Sequence, residues 1–126
     1  MLLRCLFVGF GGFAGAVARY LVGQIPLFSR QVFPFATLLI NFLGAVAIAV
    51  IAEASLRIAP LSPDLLLFLK AGLCGGFTTF STFSLETMEL LENGKTFPAL
   101  AYILLSVGLC LAGVWLGKAA VLWMAK

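Results

Sequence analysis

Four long apolar runs separated by three short polar connections set the plan of this chain. They cover 2–23, 33–54, 63–91 and 96–123, each at or above the roughly 20 residues that a helix needs to cross a bilayer core. The pattern predicts an all-α integral membrane protein with four transmembrane helices. It forms a single transmembrane domain over 1–126 that leaves almost nothing for a soluble unit. The connections, 24–32, 55–62 and 92–95, carry turn formers: Pro26, Pro60 and the pair Asn93-Gly94.

The third run departs from the others. Its centre reads Gly75-Gly76-Phe77-Thr78-Thr79-Phe80-Ser81-Thr82-Phe83-Ser84, five hydroxyls within seven residues beside a glycine pair. An isolated Ser or Thr in a spanning helix bonds back to its own backbone, and this cluster exceeds that need. Broken backbone at membrane depth survives only inside protein or along a wet cavity. The third helix is therefore expected to break near Gly75–Phe80 and to line a path for something small and polar. Phe77, Phe80 and Phe83, three apart, share a face if the segment stays helical.

Composition agrees with a bilayer as solvent: of 126 residues, 63% are apolar and 10% charged, where soluble domains are roughly half apolar and a quarter charged. The net charge of +3 has no concentrated basic patch behind it and says nothing for nucleic acid, which is not expected as a partner. Cys5, Cys74 and Cys110 lack paired or zinc-type spacing and read as reduced fillers. A signal-peptide reading of the first run, with Ala16-Val17-Ala18 as the cleavage site, competes with a packed span. Gly9, Gly11, Gly12 and Gly15 favour the span.

Lys and Arg fall almost evenly on the two sides. Arg4, Arg57, Lys118 and Lys126 collect on the N-terminal side, with Lys70 nearer to it, and Arg19, Arg30 and Lys95 on the other. So weak a bias permits insertion both ways, and two opposed copies can close a dimer about an axis in the membrane plane. Gly11/Gly15, Gly72/Gly76, Gly108/Ala112 and Gly113/Gly117 are four apart and offer faces for close packing, within or between chains.

Asn41 is the strongly polar uncharged side chain deep in the second run, and Tyr102, Ser106 and Cys110 recur every four residues in the last. Tyr20, Trp115 and Trp123 read as packing or interfacial aromatics, Arg19 and Lys70 as residues that snorkel or pair with acids, and Glu53 with Arg57 as a helical ion pair. Hydroxyls, an amide and phenyl ring edges are all donors or electropositive. Together they can replace the hydration of a compact anion without binding it too tightly to leave. A drug/proton exporter of similar size needs an embedded acid, which the first run lacks; a non-transporting assembly subunit is the other alternative. The chain has no His and no carboxylate pair at catalytic depth, so it is not expected to be an enzyme.

The series Gly11-Gly12-x-x-Gly15-Ala16-x-x-Arg19-Tyr20, then Asn41-Phe42-Leu43-Gly44, then Gly72-x-x-Gly75-Gly76-Phe77-Thr78-Thr79-Phe80-Ser81-Thr82-Phe83 resembles the CrcB/Fluc family of fluoride channels, in order and over essentially the whole chain. The resemblance implies an antiparallel dual-topology homodimer in a bacterial-type inner membrane that passes fluoride through two pores. It implies Phe80 and Phe83 as pore phenylalanines, Asn41 as the pore asparagine and Ser81 and Thr82 as further ligands. It also implies Tyr102 and Ser106 on a polar track, and Arg19 as a structural residue. Cys110 stands where the family often has a hydroxyl, a departure. A structural sodium ion at the dimer centre would be held by the carbonyls of Gly75 and Thr78 from both copies, consistent with the hard oxygens that a glycine break frees.

Overall fold

A computed structural model describes residues 1–29 and 31–126; Arg30, counted above in the charge balance, lies outside the described residues. The helices are α1 (Leu2–Gly23), a short α2 (Pro26–Ser29), α3 (Phe35–Arg57), α4 (Pro63–Leu66), a π-helical stretch (Leu67–Cys74), α5 (Gly75–Phe77), α6 (Phe80–Glu92) and α7 (Thr96–Met124). Four helical units are long and apolar enough to cross a membrane: Leu2–Gly23, Phe35–Arg57, Pro63–Glu92 and Thr96–Met124. The chain is a multi-pass membrane protein. Its shortest span, 22 residues, reaches about 33 Å at 1.5 Å per residue, enough for the hydrocarbon core.

Local chemistry sets the ends. Pro63 opens the third span at a position where a missing N–H costs nothing, and the Ser62 hydroxyl accepts the Leu65 N–H at 3.3 Å. That span closes on Gly94, whose φ of +71° lies in the left-handed region that favours a residue without Cβ. The turn lets the Lys95 N–H reach the Leu90 carbonyl at 2.8 Å and the Gly94 N–H reach that of Leu91 at 3.0 Å, a Schellman-type stop.

Small residues decide how the spans pack. A Cβ on Gly72 would lie 2.8 Å from the Gly11 Cα, and one on Gly76 would lie 2.9 Å from the Gly12 Cα, so α1 and the third span touch backbone to backbone. A Cβ on Gly117 would lie 2.7 Å from the Val46 carbonyl, and Gly113 faces Phe42, which seats α7 on α3. Three of the four small-residue pairs thus work inside one chain. Gly108 has nothing within 4 Å and, like Ala112, faces outward.

Charges tie the N-terminal side together. Arg4 meets Asp64 at 3.2 Å, and Glu53, 7% exposed, meets Arg57 at 2.9 Å and Lys118 at 3.8 Å. Tyr20, Trp115 and Trp123 are exposed on the bundle surface.

Candidate functional site

The third span breaks where the glycine pair and hydroxyls predict. Thr78 (φ −83°, ψ 159°) and Thr79 (φ −152°, ψ 116°) are extended, and the helix restarts at Phe80. The break separates Phe77 from the other two rings, so the helical condition for a common face of Phe77, Phe80 and Phe83 is not met. Phe77 sits against α1 and α3 near Gly15 and Gly44, while Phe80 and Phe83 pair at 5.3 Å between centroids. A regular helix would have aligned all three; two extended residues remove the register.

Side chains satisfy the backbone that the break exposes. Asn41, from α3, clamps Thr79 from both ends: its Oδ1 accepts the Thr79 N–H at 2.8 Å, and its Nδ2 donates to the Thr79 carbonyl at 3.1 Å. The Thr79 hydroxyl accepts the Thr82 N–H at 3.1 Å and donates to the Thr82 hydroxyl at 3.0 Å, capping α6. Ser81 lies 3.2 Å from the same hydroxyl. Thr78 donates its hydroxyl to the Cys74 carbonyl at 2.9 Å.

These bonds release two carbonyls. The N–H groups that would close the helical ladder on Gly75 and Thr78 belong to Thr79 and Thr82, and both are taken by side-chain oxygens. Gly75 and Thr78 both line one cavity. Two hard oxygens suit a hard cation but fall well short of a shell of roughly six ligands. Among the described residues, no group of three or more Cys, Asp or Glu side chains could hold a metal.

That cavity, about 460 Å³, lies beside the break, between α3, the third span and α7. Asn41, Thr79, Phe80, Phe83, Ser106 and Cys110 all contribute to its wall. Phe83 is 9% exposed and packs on Tyr102 at 5.1 Å, whereas Phe80 is 77% exposed. Ser106 is 7% exposed, and its hydroxyl has no partner. Asn41 has spent one of its two amide N–H donors on Thr79, leaving the other. Ser81, Thr82 and Tyr102 lie outside this wall: the first two serve the cap, and Tyr102 is fully buried behind Phe83.

Tyr102 leads to a feature that the sequence reading left unassigned. Its hydroxyl donates to Glu86 Oε2 at 2.7 Å, and the Thr37 hydroxyl donates to Glu86 Oε1 at 2.8 Å. Glu86 also lines a smaller pocket of about 300 Å³ with Glu89, Asn93 and Lys95. The signal for Thr37 was present: it precedes Asn41 by four residues and so shares its helix face. Lys70, expected to snorkel or to pair with an acid, is exposed and lines the main cavity, and among the described residues it meets no acid.

Comparison with known proteins agrees with this picture. The family model described as CrcB-like protein, Camphor Resistance (CrcB), matches residues 6–118. A protein of Ruminiclostridium cellulolyticum named Fluoride-specific ion channel FluC is 43% identical over 118 residues, 93% of this chain and 91% of that one. Proteins of the same name from Geobacter sulfurreducens and Rhizobium meliloti are 50% and 45% identical. These matches cover 84% and 90% of this chain, and 86% and 92% of theirs. With the broken third span and its asparagine clamp inside the matched region, and most of all four spans covered by it, the chain belongs to the CrcB-like family.

Proposed function

We propose that the chain is the subunit of a fluoride-selective passive channel, an antiparallel dual-topology homodimer in a bacterial-type cytoplasmic membrane. The observation that carries this reading is the pair of unspent donors in one wall: the Ser106 hydroxyl, without a partner, and the second amide N–H of Asn41. A buried polar group left unpaired costs about 1–3 kcal/mol, a cost that a passing anion relieves. The relatives named as fluoride-specific channels supply the identity of that anion.

Phe80 and Phe83 present ring edges beside these donors, and exposed Phe80 lies where a second copy would cover it. Ser81 and Thr82 back this wall through the cap of α6, and Tyr102 backs it through Phe83 while its own hydroxyl is bonded to Glu86. Apart from Lys70, no side chain in this wall carries a charge among the described residues, so the ion meets neutral donors rather than a ring of charges that would trap it. A sodium ion would be held by the released carbonyls of Gly75 and Thr78, two from each of two copies, as part of its oxygen shell. Bound there, it would supply a fixed positive charge at the dimer centre.

Fluoride entering a cell as neutral HF dissociates inside. A passive anion path then lets a negative-inside potential drive it outward, at about 2.3 kcal/mol per charge per 100 mV. The test is efflux from proteoliposomes: fluoride passes and chloride almost does not. Equal rates for the two ions refute selectivity, and no flux of either leaves an assembly subunit as the better reading.

A further inference from the structure

Lys70 is the one formal charge in the wall of the main cavity among the described residues. It stands on the π-helical stretch Leu67–Cys74, one turn before Cys74, and its side chain is exposed. The acids on its side of the bundle are already engaged. Glu53 is held between Arg57 and Lys118, and Asp64 by Arg4. The remaining acids, Glu86, Glu89 and Glu92, lie on α6 beyond the break, toward the opposite side. An ionisable group within a span faces a wet cavity or the bundle interior rather than lipid, and Lys70 lines the cavity with no acid paired to it among the described residues.

We infer that Lys70 is an anion-recruiting residue, a single ammonium that concentrates small anions at one mouth of the cavity and sets the rate of entry at low ion concentration. This rests on the channel reading and deepens it. A wholly uncharged path releases an ion readily but collects it poorly. A flexible, strongly hydrated ammonium at the rim supplies the collection without gripping the ion at its narrowest point. A unit charge on the order of 8 Å from an entering anion raises its local concentration about two- to thirtyfold, for effective dielectric constants between roughly 80 and 20. In two opposed copies, each membrane face receives one such charge.

The test compares the parent protein with K70Q and K70R by initial fluoride efflux from liposomes, at roughly 0.01 M and roughly 1 M of an impermeant salt, where screening lengths are about 30 and 3 Å. K70Q is expected to lower efflux about threefold or more at low salt and to match the parent at high salt, with K70R close to the parent throughout. Efflux by K70Q equal to the parent at low salt overturns the role of Lys70 while leaving the channel reading intact. A K70Q deficit of the same size at both salts overturns it too, because packing rather than charge is then at fault. A parent protein that passes no fluoride overturns both.

Discussion

Replacing Asn41 with Ala tests whether the break in the third span is held by one side chain. The substitution removes two hydrogen bonds, to the Thr79 N–H at 2.8 Å and from Asn41 Nδ2 to the Thr79 carbonyl at 3.1 Å. Each is worth about 1 kcal/mol net, and a stranded buried N–H costs about 1–3 kcal/mol. Thr79 is 9% exposed and extended, so no helical carbonyl can replace the lost acceptor. The expected loss is about 2–4 kcal/mol, read as reversible unfolding in mixed detergent micelles. Leu43→Ala is the control: this residue is two positions away on α3 and 42% exposed on the bundle surface, so the expected loss is below about 1 kcal/mol. Fluoride efflux falls with stability in Asn41→Ala, because the broken backbone and the donor set are lost together. If Asn41→Ala unfolds like Leu43→Ala, the clamp does not hold the break, and the account of the site is wrong.

The adjacent glycines of the pair should respond oppositely. A Cβ on Gly76 meets the backbone of Gly12, and Gly76→Ala is expected to cost about 3 kcal/mol or to prevent folding. A Cβ on Gly75 comes only within 3.7 Å of the Lys70 carbonyl, so Gly75→Ala should leave unfolding nearly unchanged; equal effects would refute backbone contact as the cause. Phe80→Ile should lower fluoride flux while the fold of the single chain is kept, since the ring is 77% exposed within it. Phe83→Ile should lower both flux and stability, since Phe83 packs with Leu38 and Tyr102 in the core. Unchanged flux in both removes the rings from the path.

How much of the site was legible in the sequence follows from the range of each interaction. The break at Thr78–Thr79 was legible because its causes are local: a glycine pair, then hydroxyls able to bond to nearby backbone. Gly94 was legible as a stop for the same reason. The π-helical stretch Leu67–Cys74 was not, since nothing in its apolar composition distinguishes i+5 from i+4 bonding. Asn41 was recognisable as an unusual residue at membrane depth, but its bonds to Thr79, 38 positions away, depend on how α3 and the third span come together. The convergence of Thr37 and Tyr102 on Glu86 spans three helices and was likewise out of reach.

The sequence by itself determined four spans, their approximate ends and the place where one of them breaks, because lipid imposes length and apolarity on each segment independently and penalises every loose backbone group. Only the tertiary structure decided which donors are spent on holding the backbone and which are left over. It assigned Asn41 to Thr79, buried Tyr102 behind Phe83, left the Ser106 hydroxyl without a partner and set Lys70 at the cavity wall with every nearby acid already taken. Those outcomes depend on distances between groups far apart in the chain, and no local pattern encodes them.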